Sequence, residues 1–121
     1  MSHVTLLGLP EDLGQALARV LRAQAHQVSR KLFIQDLLLS PRTEAVFISG
    51  DMPEFCHTIT LLRETEPNLP VIVVTRVPGT RSWLDALDAG ASDYCGAPFE
   101  PVQVRWIMDS VTRAERRVAA A

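Results

Sequence analysis

Apolar positions along the chain alternate between two periods, and the alternation itself predicts the architecture. Residues 4–7 form a short apolar run. Pro10, Glu11 and Asp12 then open a helix on which Leu13, Ala16, Leu17, Val20 and Leu21 recur at helical spacing, with acids placed where a helix dipole favours them. After His26 the pattern weakens to an edge-like strand at 27–29, followed by a short helix over 33–39 that Pro41 closes. Residues 45–48 and 71–74 are continuous β-branched or apolar runs, as expected for central strands buried on both faces. Between them Phe55, Ile59 and Leu62 mark one face of a third helix, and Pro67 and Pro70 punctuate the turn before the next strand. A fourth helix over 83–89 stops at Gly90, where a helix end commonly needs left-handed geometry. The last helix, over 101–118, turns Val104, Ile107, Met108 and Val111 inward. Five strand–helix repeats of this kind predict a parallel sheet covered on both faces.

Composition fits one compact unit. A chain of 121 residues with 47% hydrophobic content is of single-domain size and can bury a sizeable core. A net charge of -2 gives no electrostatic footprint for nucleic acid or an anionic membrane, so neither is expected as a direct partner. Neither a long apolar span nor a charged-then-apolar leader is read, and a cytoplasmic location is the expectation. Cys56 and Cys95 lack a CxxC spacing and suit a reducing compartment. His3, His26 and His57 are scattered without metal-ligand spacing, and Arg113, Arg116 and Arg117 suit the C-terminal end of the last helix dipole.

Three segments carry a resemblance. Ala45-Val46-Phe47-Ile48-Ser49-Gly50-Asp51-Met52-Pro53, Leu69-Pro70-Val71-Ile72-Val73-Val74-Thr75, and Ala89-Gly90-Ala91-Ser92-Asp93-Tyr94-Cys95-Gly96-Ala97-Pro98-Phe99 resemble, in order and spacing, the receiver domain of two-component response regulators. The resemblance runs over nearly the whole chain and implies an α/β, flavodoxin-like (CheY-like) doubly wound sheet with strand order 2-1-3-4-5. One receiver-like domain over 1–121 is expected, with residues from about 113 as the start of a linker toward an output domain.

In that family the chemistry sits where strands one, three, four and five stop. The magnesium-binding acid pair falls here on Gly8 and Leu9, which offer no side-chain oxygen. The phosphoacceptor aspartate falls on Ser49, a weak nucleophile without an adjacent base, and the conserved lysine falls on Ala97. Thr75 alone keeps its family type. The expectation is therefore a degenerate receiver without a magnesium site, cofactor or enzymatic activity. Two alternatives stand beside it. Asp51, two residues beyond Ser49, is a displaced acceptor candidate, with Glu11 and Asp12 as a rearranged acidic pair. The remaining pocket of Ser49, Thr75 and Arg76 is a candidate small-anion or metabolite site, against the plainer reading of Arg76 as an exposed loop residue.

The output surface that the resemblance implies is formed by the fourth predicted helix, fifth strand and fifth predicted helix. Tyr94 holds the position of the family's switch aromatic, Trp83 a partner-facing position, and Val102 and Trp106 a stripe away from the core face. These predict a protein partner or a homodimer. Packing of either tryptophan over the helix joint is the plainer alternative.

Overall fold

The structure, a computed structural model, describes residues 3–33, 35–36, 43–50, 55–76 and 80–120, apart from the side chains of 80–82 and 112–120. In chain order it contains β1 (His3–Leu7), α1 (Glu11–Ala23), β2 (Gln27–Lys31), β3 (Ala45–Ser49), α2 (Phe55–Thr65), β4 (Val71–Thr75), α3 (Thr80–Ala89), β5 (Asp93–Gly96) and α4 (Pro101–Ala120). All strand pairs are parallel and the order is β2-β1-β3-β4-β5. This is the expected doubly wound topology. Four helices lie among the described residues; of the predicted helix over 33–39, residues 35 and 36 are helical, Phe33 is in a bend, and residues 34 and 37–39 lie outside them. β2 runs two residues further than its sequence suggested.

Continuous apolar strands feed two cores because successive side chains point to opposite faces. Val4, Leu6, Phe47, Ile72 and Val74 enter one core with α1 and α4. Leu7, Val46, Ile48, Val71 and Val73 enter the other with Ile59 and Leu62 of α2 and Ala86 of α3. Every residue of β3 and β4 is buried.

The turns follow local chemistry. Pro10 precedes α1 with an extended backbone, and its carbonyl accepts the Gly14 N–H. Gly90 ends α3 at φ +110 with the Ala91 N–H returning to the Ala86 carbonyl, as its sequence position predicted. At Ala25, φ is 68, a left-handed conformation that nothing in the apolar pattern marked. Gly50 follows β3 where the backbone closes on β4: its N–H donates to the Val74 carbonyl at 2.6 Å, and a Cβ there would lie 2.5 Å from Val73 Cγ1. A tie unforeseen from sequence is Arg63 of α2, whose guanidinium donates to the carbonyls of Gly90 and Pro67 and to Ser92 Oγ.

Candidate functional site

The parallel register brings the carboxyl ends of the strands together, with Leu7 beside Ile48, Ser49 beside Val74, and Thr75 beside Gly96. Gly8 leaves β1 at φ +67 and donates its N–H to the Lys31 carbonyl at 2.8 Å. Its role is a turn in the left-handed region that glycine adopts without strain. Leu9 is only 9% exposed and joins the core cluster that contains Leu6, Leu13 and Phe47. The two positions matching the metal-binding pair are thus a backbone turn and a core side chain.

Ser49 and Thr75 are buried at 6% and 3% exposure. The Thr75 carbonyl accepts the Ala97 N–H at 2.9 Å, so β4 and the chain after β5 stay joined past the end of the strand. Ala97 is half-buried against the α1–α4 core with Phe99, and the Ala97-Pro98 peptide is cis. Asp51 lies outside the described residues. Among the described residues no group of three or more His, Cys, Asp or Glu side chains is placed to hold a metal ion.

Among the described residues, the acids of the first turn of α1 are paired with arginines from neighbouring strand ends. Asp12, in the first turn of α1, meets Arg76 just past β4 through two hydrogen bonds, Nη1 to Oδ2 at 2.5 Å and Nη2 to Oδ1 at 2.6 Å. The bidentate fork matches guanidinium to carboxylate. It holds the Asp12 carboxyl down to about 2. Glu11 is paired likewise with Arg30 of β2, Nη2 to Oε2 at 2.7 Å, and its pKa is lowered by hydrogen bonds from Arg30 and then Gln15. Both acids of the suggested rearranged pair therefore have cationic partners, and Arg76 is exposed as its loop position suggested but engaged with Asp12. Neither pairing was legible in sequence. The signals were present, two acids after Pro10 and cations near the ends of β2 and β4, but Asp12 and Arg76 stand 64 residues apart and Glu11 and Arg30 stand 19 apart.

The remaining titratable candidates are quiet. Burial, then Asp93, pushes the Cys95 thiol up to about 11, and it sits in the core. Burial and then Asp85 raise Cys56 as well, so neither has the depressed pKa of a reactive thiol. His3 Nε2 pairs with Ser29 Oγ at 2.7 Å across β1 and β2. His26 is held below its ordinary pKa by burial.

On the opposite kind of surface, Val102 and Trp106 stand out from α4 at 80% and 77% exposure, and Trp83 and Leu84 of α3 are about half exposed. Tyr94 points inward: its ring packs against the α2–α3 core, and its hydroxyl is buried with no hydrogen-bond partner among the described residues. Val102 opens toward α1 and lines a groove with Arg19 and Val20. It does not share a layer with Tyr94.

A doubly wound five-stranded sheet whose strand ends gather these positions is the fold of response-regulator receiver domains. No protein-family model matches the chain. Over 69 residues it is 38% identical to the response regulator MprA of Mycolicibacterium vanbaalenii, a match covering 53% of this chain and 29% of that protein. The chain thus spans less than a third of that relative. Its backbone superposes on NtrX from Brucella abortus with a TM-score of 0.89 at 14% identity, over 99% of this chain and 28% of that one. A receiver domain protein from Clostridium thermocellum gives 0.84 at 12% identity over 98% and 99%. At these identities the likeness is one of fold. No helix among the described residues is long and apolar enough to cross a membrane.

Proposed function

We propose that this chain is a receiver-like module of bacterial two-component signalling that works by protein docking or dimerisation without phosphotransfer. The observation that carries the reading is what stands at the strand ends: Leu9 belongs to the core cluster and Arg76 is paired with Asp12. Phosphoryl transfer is achieved almost entirely by positioned charge around the phosphoryl group. Here the acid pair is replaced by a turn and a leucine, the lysine by Ala97, and the arginine just past β4 is paired with Asp12. The same ion pair argues against a free anion or metabolite pocket at Ser49 and Thr75.

Function then moves to surfaces. Trp83 and Trp106 offer the exposed aromatic area that anchors interfaces, while Tyr94, the switch-aromatic position, is turned inward against the α2–α3 core. The output surface lies around α3, β5 and α4, and the module acts in the cytoplasm, joined to an output domain in the manner of its longer relatives. Nucleic acid is not its direct ligand.

The test is incubation with magnesium and acetyl phosphate followed by intact mass. No added phosphoryl group is expected. An adduct that survives Ser49→Ala and disappears in Asp51→Asn would establish Asp51 as the acceptor and overturn the reading. For the surface, Trp83→Ala or Trp106→Ala is expected to weaken self-association or partner binding; unchanged binding in both would remove these anchors.

A further inference from the structure

Away from the strand ends, α1 and α4 pack on the same face of the sheet and leave a groove of about 540 Å³ between them. Its walls are apolar, from Val20 and Ala23 on α1 and Pro101 and Val102 on α4. Gln24, at the end of α1, donates its Nε2–H to the Pro101 carbonyl at 2.7 Å and so pins the two helices at one end. The groove is preformed rather than dependent on closure.

Its rim is cationic in a chain whose net charge is negative. Arg19 and Arg105 flank the walls, both exposed, and among the described residues neither makes a hydrogen bond or ion pair. Asp109, one turn beyond Arg105 on α4, is close enough to His26 to favour its protonated form. Two free guanidinium forks beside an apolar trough fit carboxylates carried on an apolar backbone. A second copy fits poorly: a two-fold contact through this patch sets it against itself, so its arginines would face arginines.

We propose that the α1–α4 groove docks an acidic, apolar segment of a partner protein, with an apolar side chain seated between Val20 and Val102 and carboxylates on Arg19 and Arg105. This surface adjoins Trp106, which follows Val102 by one turn of α4, and is distinct from the one around Trp83 and Tyr94 on the α2–α3 side of the sheet. Because Val102 is 80% exposed, a partner would cover apolar area that the chain itself leaves in water.

The experiment titrates isotope-labelled protein with two amidated amphipathic peptides of about four helical turns. They share one apolar face and differ only in carrying glutamate or lysine on their flanks. Saturable amide shifts confined to residues 19–24 and 102–105 are expected with the glutamate peptide and none with the lysine peptide. Binding should weaken with salt and fall about tenfold in Arg19→Glu or Arg105→Glu, whose spectra elsewhere should stay those of the folded wild type. Equal shifts with both peptides, shifts centred on Trp83 and Tyr94, or no shifts would overturn the proposal. So would concentration-dependent shifts of the groove amides without peptide, which would assign it to self-association, or the same shifts with a short oligonucleotide.

Discussion

Leu9 is where the account is most exposed to a stability measurement. If its side chain belongs to the core, Leu9→Ala removes three carbons from a side chain that is 9% exposed and part of the cluster containing Leu6, Leu13 and Phe47. Burying a leucine is worth about 1.5–3 kcal/mol, and a cavity term adds to the loss on truncation. Because the site lies at the end of the core rather than its centre, partial collapse of the cavity is expected, and the working figure is about 2–3 kcal/mol. Urea unfolding followed by far-UV circular dichroism reads this directly. With a slope of about 1–1.5 kcal/mol/M, the midpoint should drop by roughly 2 M at unchanged slope. Leu9→Met, which conserves volume, should lose less than about 1.5 kcal/mol. A loss under about 1 kcal/mol for the alanine variant would refute the reasoning, because position 9 would then be a rim position open to a ligand rather than a core position.

Other outcomes follow from single contacts. Gly50→Ala places a methyl group 2.5 Å from Val73 Cγ1 and 3.3 Å from the Val74 carbonyl, so a loss of about 1–3 kcal/mol in the same unfolding assay is expected. Cys95, raised to about 11 in the fold, favours the folded state below the unfolded thiol pKa. Stability should therefore fall as pH rises from about 9 to 11, by no more than about 2–3 kcal/mol, and Cys95→Ala should flatten that fall. Asp12 has the opposite sign. Its depressed pKa contributes stability above 3.8 that is lost as pH falls toward 2, and Arg76→Gln should return its carbon-detected titration midpoint toward 3.8.

Much of the fold was legible because its cause is local and periodic. The β3 and β4 runs announce strands buried on both faces, and Gly90 announces the end of α3, since each signal sits in the residues that form the element. β2 was harder: its exposed and half-buried residues do not alternate cleanly, and its last two, Arg30 and Lys31, read as polar loop. At the site, absences were readable one residue at a time, while what fills them was not. Leu9 between Gly8 and Pro10 gave no sign of joining the core cluster of α1 and α4, and the Asp12–Arg76 pair depends on how the first turn of α1 meets the end of β4. Such contacts are tertiary. Likewise Val102 carries an outward helical position in sequence, but only the packing of α1 beside α4 turns it toward a groove.

The central claim is that the strand ends no longer bind magnesium or a phosphoryl group. It is tested most directly by following the amides of Leu9, Ser49 and Thr75 by nuclear magnetic resonance during addition of magnesium and beryllofluoride, a mimic of the bound phosphoryl group. The account expects these amides not to move. Saturable shifts centred on Ser49 and Thr75 would contradict it.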